Sequence, residues 1–438
     1  EVIMEKSEQK SGLRILGMKL PLYLIVVAAS LAAIYLEVLP QNMVGAFLVL
    51  LVFGELLNLI GNKTPIINTY FGGGPIVAIL VGSALVHYSL IPKSTIETVT
   101  TFMKGGGFLD FYIAALITGS ILGMNRKLLI KAAVRYLPCI LGGVIAALGL
   151  VALVGPLVGY NPAEAVAYIG IPIMGGGMGA GAVPISKVFA SALNMDADTI
   201  LSKLVPAVAL GNALAIVAGG VLNRIGKKNK KLSGDGQLVI SDDPELAYKE
   251  KELKQHNITD YATGIVLATG FFTVGALIAL LFKLIGINIH TYAWMIISVA
   301  VVKALNLMPE KYEDACALFY KFIANNFTAA LLLGIGIGYT NLGQIIAAFT
   351  PQYLVLVFVV VLGAILGSGA VGRLVGFYPI EAAVTAGLCM ANMGGTGDVA
   401  VLTAAERMNL MPFAQISSRL GGAFIILLAS FLVPLFFG

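Results

Sequence analysis

Two short glycine-rich phrases are the parts of this sequence best suited to bind an ion or a small polar molecule. Gly176 to Gly179 read GGMG and Gly394 to Gly397 read GGTG, each within otherwise apolar sequence. Interruptions at corresponding places in two halves of a chain are typical of a membrane carrier's binding site. Irregular backbone at membrane depth is tolerated where it is buried in protein or lines a cavity. Its N–H and C=O groups can then replace the water around an ion.

Two polar side chains beside the second phrase could ligate a hard cation. Asn392 precedes the phrase and Asp398 closes it. A carboxylate and an amide next to unwound carbonyl groups are the oxygen ligands that sodium takes. An ordinary helix cap is the alternative for Asp398, and protonation of its carboxyl group is a further one. Glu381, in the phrase GFYPIEAA, is another acid within apolar sequence and could simply cap a hairpin.

Arg419 could bind a carboxylate. It follows Phe413 by six residues, which places it roughly 9 Å into a helix that rises about 1.5 Å per residue. A cation at that depth is costly unless it is paired or hydrated. The planar guanidinium fork suits a carboxylate, and Ser418 and Gly421 make the surroundings polar and open. The alternative is an arginine that snorkels to the membrane surface or has a structural ion-pair partner.

The composition predicts a polytopic helical membrane protein. The chain is 58% hydrophobic and 12% charged, with a mean hydropathy of +0.92, whereas soluble domains carry about 25% charged residues. The net charge of +5 reflects loop topology and indicates no nucleic-acid partner. Cys139, Cys316 and Cys389 have neither disulfide nor zinc spacing. No Ser-His-Asp set, HExxH or Walker phrase supports an enzyme or an ATP-driven pump, and the polar segment 1–19 lacks the layout of a signal peptide.

Apolar runs of roughly 17–25 residues can span a bilayer as helices. They predict about 11 transmembrane helices, at about 20–38, 43–60, 74–91, 110–124, 135–156, 200–222, 261–284, 290–307, 325–340, 353–376 and 413–437. Two further apolar segments, 165–192 and 381–405, are broken by glycine and are predicted to be re-entrant hairpins. The predicted fold class is therefore an all-α polytopic membrane protein.

Basic residues predict the orientation of these spans. Cytoplasmic loops carry an excess of Lys and Arg, and the first segment contains Lys6, Lys10, Arg14 and Lys19. The N-terminus is therefore expected in the cytoplasm and the C-terminus outside. The polar stretch 223–260 falls on the cytoplasmic side and is expected to be a solvated linker.

The chain also contains a weak internal repeat. An offset of 217 residues (309 − 92, 319 − 102) places Pro92 on Pro309 and Phe102 on Phe319. Each predicted repeat has five spans and one hairpin, and the first span stands outside the pair. An odd number of spans makes the second repeat inverted, so the two hairpins enter from opposite sides and meet near the midplane.

Taken together, these motifs resemble the 2-hydroxycarboxylate transporter family, the secondary citrate and malate carriers of bacteria. The resemblance covers nearly the whole chain, and the phrases that carry it are LITGSILGMNRKLL, IMGGGMGAGAVP, GFYPIEAAVTAGLCMANMGGTGDV, ERMNL and AQISSRLGGA. It implies a homodimer in the bacterial inner membrane whose transport domains slide, elevator fashion, against scaffold domains. The implied division is a cytoplasmic segment 1–19, an extra span 20–38, scaffold parts 43–134 and 261–352, transport parts 135–222 and 353–438, and the linker 223–260.

The resemblance also implies two sets of site residues. Substrate is expected to contact Gly177, Met178, Gly179, Met393, Gly395, Thr396, Ser418 and Arg419. Sodium, the coupling ion, is expected to contact Ile173, Gly176, Cys389, Asn392, Asp398 and Ser418, with backbone carbonyls serving around Ile173 and Gly176. No other cofactor and no catalytic residue is implied.

The sequence departs from the citrate-carrying members at positions that matter for charge. Those members have Asn in place of Met178, Arg in place of Met393 and Ser in place of Thr396. With one arginine fewer, a dicarboxylate such as malate fits better than the trianion citrate. Lys203, unusual for the family, could supply a cation or snorkel outward. The sequence therefore predicts a sodium-coupled malate symporter; a proton-coupled citrate/malate carrier, a malate/lactate exchanger and, from another class, an anion channel remain alternatives.

Overall fold

Helices make up nearly all the regular structure in the computed structural model. It describes residues 14–70, 74–123, 126–240, 257–286, 291–343, 346, 349–407 and 410–437. Lys6 and Lys10, on which part of the predicted orientation rests, lie outside these residues. A short antiparallel pair of strands, β1 (Arg14–Ile15) and β2 (Met18–Lys19), precedes the first helix.

Twelve longer helices follow within the described part of the chain. They are α1 (Leu20–Tyr35), α2 (Met43–Lys63), α3 (Gly74–His87), α4 (Lys93–Met103), α5 (Phe108–Leu122), α6 (Arg126–Val154), α7 (Ala197–Lys228), α8 (Ile258–Leu284), α9 (Thr291–Ala304), α10 (Glu310–Gly338), α11 (Pro351–Leu374) and α12 (Gly422–Phe437). Each predicted span coincides with one of them. The clearest difference is α10, which begins at Glu310 and not near residue 325, because Pro309 starts a helix whose first turns are charged.

Seven helices in the described residues are long and apolar enough to cross a membrane. They are Met43–Lys63, Arg135–Val158, Ala197–Lys228, Ile258–Leu284, Glu310–Gly338, Pro351–Leu374 and Ser417–Phe437. The chain is thus a multi-pass membrane protein, as its composition predicts. The number of about 11 spans stays a prediction, because several further apolar helices are shorter than a full span.

Both predicted hairpin segments fold as pairs of helical arms joined by a glycine-containing tip. The arms cover residues 162–173 and 178–193 in the first hairpin, and 379–388 and 395–404 in the second. Pro162 and Pro379 occupy the first helical positions, where proline's fixed φ favours the start of a helix. Each hairpin also contains a π-helical turn, a feature that is frequent at functional sites.

The helices pack in two groups. In the first group, α10 packs against α2, α3, α4, α5 and α8, and α9 packs between α8 and α5. In the second group, α6 packs along α11, α7 and the two hairpins pack against this pair, and α12 packs against the first hairpin. Contacts between the groups are sparser and include those of α9 with α12 and α6, of α7 with the short helix Pro65–Tyr70, and of the first hairpin's tip with α5 and α10.

Small residues explain how closely α6 and α11 approach. A Cβ atom built on Gly363 would lie 2.6 Å from the Cα atom of Ala147 and 2.8 Å from the carbonyl oxygen of Ala146. The backbones of the two helices therefore touch at this point. Association of helices in lipid depends on such van der Waals packing at small residues, because lipid chains are as apolar as the side chains they replace.

The predicted solvated linker 223–260 is partly structured. Residues up to Lys228 continue α7, and residues 241–256 lie outside the described part. Between them, the chain turns back onto the base of the second hairpin. The backbone N–H of Tyr378 donates to the carbonyl of Leu238, and that of Ile380 donates to the carbonyl of Leu232.

A buried ion pair explains why this segment is ordered. Glu381 accepts hydrogen bonds from Arg407 Nε at 2.8 Å, from Ser233 Oγ at 2.8 Å and from the backbone N–H groups of Gly234 and Gly236. Glu381 is 0% and Arg407 1% exposed. A buried charge needs a partner and further hydrogen bonds to offset its lost hydration, and the folded segment supplies them. Glu381 thus ties the linker to the hairpin and is no simple cap.

Removing the arginine should destabilise this region strongly. In Arg407→Ala, the Glu381 carboxylate stays buried without its partner, and such changes cost about 3–5 kcal/mol. The apparent melting temperature of the purified protein in detergent should fall by several degrees. Lys227→Ala is the matched control, because it breaks an exposed ion pair with Glu406 at 2.6 Å and should change the melting temperature little. Equal shifts of the melting temperature in the two variants would contradict a stabilising role of the Glu381–Arg407 ion pair.

Candidate binding site

The two hairpin tips meet backbone to backbone. Gly176, Gly177 and Gly394 have positive φ angles of 73°, 122° and 80°, which favour glycine. A Cβ atom on Gly177 would lie 2.7 Å from the carbonyl oxygen of Met393, and one on Gly394 would lie 3.0 Å from that of Gly176. Glycine is therefore required here both by conformation and by space.

A cavity of about 340 Å³ opens beside the meeting point of the tips. It lies between the two helix groups, with α5 and α10 on one side and the hairpin tips and the start of α12 on the other. Six of the residues predicted to contact substrate line it, namely Gly177, Met178, Gly179, Met393, Ser418 and Arg419. The surroundings of Gly395 and the side chain of Thr396 lie outside the described part of the structure.

Arg419 lies in a π-helical turn, Ser417–Gly421, that leads into α12. Its Nη2 donates a hydrogen bond to the hydroxyl of Tyr320 at 2.5 Å, and its guanidinium carbon lies 4.9 Å from the centre of that ring. Among the described residues, no carboxylate lies within ion-pair distance of it. Arg419 is not the most deeply buried cation in the described residues, because Arg407 and Lys303 are less exposed. Arg407 and Lys303 each have a carboxylate partner, whereas Arg419 lines a cavity.

Oxygen atoms crowd around Ser418, next to the cavity. Its Oγ lies 2.8 Å and 2.6 Å from the two carboxylate oxygens of Asp398, and 3.1 Å from the carbonyl oxygens of both Cys389 and Ala414. Asn392 Nδ2 donates to Asp398 Oδ1 at 2.8 Å. Asp398 and Asn392 are fully buried. Four of the six residues predicted to contact sodium are thus brought together at one point.

The other two predicted sodium contacts lie on the first hairpin. A Cβ atom on Gly176 would lie 2.5 Å from the carbonyl oxygen of Ser418, so the first tip abuts the oxygen cluster directly. Ile173 ends the first arm, is buried, and packs beside Gly211 of α7. The structure therefore places Gly176 against the cluster, whereas Ile173 packs against α7.

Several polar residues of the site are absent from the sequence-based set. Tyr112, Tyr320, Asn325 and Thr328 line the cavity from α5 and α10, and the hydroxyl groups of Tyr112 and Thr328 lie 2.6 Å apart. A polar face within an otherwise apolar helix was the signal that could have found them. Asn212 of α7 accepts a hydrogen bond from the backbone N–H of Met393 at 3.0 Å and so holds the second tip.

Lys203 does not line the cavity. Its side chain is exposed, with Nζ lying 5.0 Å from the centre of the Tyr168 ring. Of the two roles considered for this residue, the outward orientation matches the structure. The positive charge available to a ligand in this cavity therefore comes from Arg419 within the described lining.

Comparisons with a family model and with known proteins agree on one family. The sequence model of the 2-hydroxycarboxylate transporter family matches residues 15–431. The chain is 41% identical to the malate transporter MleP of Lactococcus lactis, over 97% of this chain and 98% of that protein. It is 38% identical to the citrate transporter CitP of Leuconostoc mesenteroides, over 98% and 96%. It is also 38% identical to the citrate/sodium symporter of Klebsiella pneumoniae, over 96% and 94%.

Adding a methyl group at the first tip should damage the site. In Gly177→Ala, the new Cβ atom would overlap the carbonyl oxygen of Met393, and alanine would have to adopt a φ of 122°. Such backbone conformations cost about 1–3 kcal/mol for a non-glycine residue. Ligand binding by the purified protein should fall at least tenfold, or about 1.4 kcal/mol. Gly149→Ala, where no atom lies within 4 Å of the new Cβ, is the control and should bind normally.

Proposed function

This chain belongs to the 2-hydroxycarboxylate transporter family, and we propose that it carries malate together with sodium across the bacterial inner membrane. Its family transports substrates and does not convert them chemically. The single observation that carries the proposal is the cavity in which Arg419, two methionines and the oxygen cluster around Ser418 come together. One anion site beside one cation site is the arrangement that co-transport needs.

The charge of the cavity supports a dicarboxylate. Arg419 can pair with one carboxylate through its planar fork, while Met178 and Met393 present thioethers that neutralise no charge. Lys203 lies outside the lining and adds none. Each carboxylate beyond the one paired with Arg419 would be buried without a cationic partner, at a cost of several kcal/mol, and malate has one such group whereas citrate has two. Malate has fewer charges to satisfy than citrate, and the name of the malate transporter MleP agrees with this choice.

The oxygen cluster supports sodium as the coupling ion. The Ser418 hydroxyl has one hydrogen and can donate to one of the four acceptor oxygens around it. A hard cation takes oxygen ligands and satisfies several of them at once, whereas a proton on Asp398 would satisfy one. The relatives named citrate/sodium symporters agree with a sodium site in this family.

The packing supports an elevator mechanism with inverted repeats. The first helix group corresponds to the expected scaffold (43–134 and 261–352) and the second to the transport domain (135–222 and 353–438). Pro92 and Pro309, paired by the repeat, each precede the first residue of a helix. In this proposal the second group moves with substrate and ion, the N-terminus is cytoplasmic, and the first group forms the interface of a homodimer.

Uptake into proteoliposomes tests the proposal. Purified protein should accumulate labelled malate when a sodium gradient is imposed at constant pH, and should exchange labelled for unlabelled malate. Uptake that follows an imposed proton gradient without sodium would identify a proton-coupled carrier. Exchange restricted to malate against lactate would identify an exchanger, and conductance without exchange would identify an anion channel. Any of these three results overturns sodium symport.

Neutralising the buried acid should abolish sodium-driven uptake. Asp398→Asn removes a charged ligand while keeping the side chain's size, so sodium should bind at least tenfold more weakly. Malate uptake under a sodium gradient measures this effect. Asp196→Asn is the matched control: Asp196 is an exposed helix cap, and asparagine caps helices equally well. Unchanged sodium dependence in Asp398→Asn would place the cation elsewhere.

Introducing an arginine at position 393 should change the preference between malate and citrate. The wild-type protein should prefer malate over citrate by at least about tenfold, or roughly 1.4 kcal/mol. Met393→Arg places a second guanidinium group in the cavity and should narrow that preference, more so when combined with Met178→Asn. Competition of citrate with labelled malate uptake measures it. Met195→Arg, at an exposed methionine outside the lining, should leave the preference unchanged; a wild-type preference for citrate would refute the charge argument.

A further inference from the structure

Tyr320 stands directly opposite Arg419 in the cavity. Its hydroxyl oxygen accepts the hydrogen bond from Arg419 Nη2, and the guanidinium group also lies over its ring at 4.9 Å. An arginine over a tyrosine ring is attracted by the ring's negative face. Tyr320 thus contacts the guanidinium group through both its hydroxyl and its ring.

The helix that carries Tyr320 is itself firmly packed. A Cβ atom on Gly119 of α5 would overlap the Cβ atom of Tyr320 and the carbonyl oxygen of Cys316, so α5 lies directly against α10 at this level. The ring of Phe319 packs edge-on against Phe111, 5.7 Å away. The phenol is therefore presented to the cavity by a rigid pair of helices.

Tyr320 and Arg419 have more hydrogen-bond donors than their mutual contact uses. A phenol both accepts and donates, and an arginine has five N–H groups. The contact with Arg419 uses one lone pair of the phenol and one of the five N–H groups. Within the described residues, neither side chain makes a further hydrogen bond, and both line the cavity.

We propose that Tyr320 is a substrate-binding residue that acts with Arg419 as one carboxylate receptor, its hydroxyl bridging the guanidinium group and the bound carboxylate. The proposal rests on the proposed function, in that the ligand is a 2-hydroxycarboxylate. Tyr320 belongs to the first helix group and Arg419 to the second, so the receptor is complete only in the relative position of the groups seen here. Substrate affinity then depends on that position.

Calorimetric binding of malate to the purified full-length protein in sodium-containing detergent solution tests this role. Tyr320→Phe keeps the ring and its packing and removes only the hydroxyl. Since hydrogen bonds to charged groups are stronger than those between neutral groups, the Kd should rise about tenfold or more. Tyr353→Phe is the matched control, because this buried phenol lies outside the cavity lining and its hydroxyl has no hydrogen-bond partner in the described structure.

A double-mutant cycle shows whether the two residues act as one receptor. In an Arg419→Lys background, Tyr320→Phe should change the Kd less than threefold, because the bridged guanidinium group is gone. An effect of the same size in both backgrounds, or an unchanged Kd in Tyr320→Phe alone, would overturn the inference. So would a lower melting temperature of Tyr320→Phe accompanied by normal affinity. Absence of malate binding by the wild-type protein would instead defeat the proposed function.

Discussion

The contact between two glycine backbones is the constraint on which the rest of this structure depends. Gly177 lies against the carbonyl of Met393, and Gly394 lies against that of Gly176. Side chains at these points would separate the tips by the width of at least one carbon atom. The first tip would then also lose its close approach to Ser418, whose carbonyl oxygen lies against Gly176. In a membrane, broken helices are tolerated only when buried in protein or lining a cavity, and here each tip provides that surrounding for the other.

Four buried charges in the described residues form two ion pairs, and Arg419 differs from these four. Glu381 with Arg407 and Glu313 with Lys303 form buried pairs, each within one helix group. A lone buried charge would cost several kcal/mol. Arg419 is the contrasting case: within the described structure its hydrogen-bond partner is a neutral phenol, and the residue lines a cavity. A cation held by a neutral group is prepared to receive an anion without first breaking an ion pair.

The ion pairs also distinguish the two ends of the helix bundle. At the first turn of α7, Asp198 pairs with Lys104 of the first group, and nearby Lys187 of the first hairpin pairs with Asp110. At the other end of α7, Lys227 pairs with Glu406 within the second group. The described ion pairs that join the groups therefore lie at one end only. Sliding of one group against the other would have to separate these pairs, while the pairs at the opposite end could move as part of one body.

The sequence by itself determined the membrane class, the positions of the helices and of the two glycine-broken segments, and it supplied several residues of the cavity lining. Each of these follows from local pattern: apolar runs, glycine clusters, and single charges such as Arg419 and Asp398 within apolar sequence. The tertiary structure alone decided which distant residues complete the site. Tyr320 reaches Arg419 across 99 residues of sequence, and Glu381 reaches Ser233 across 148. Periodicity reports the face of a helix but not the neighbour that covers it, because that neighbour is chosen by the packing of the whole chain.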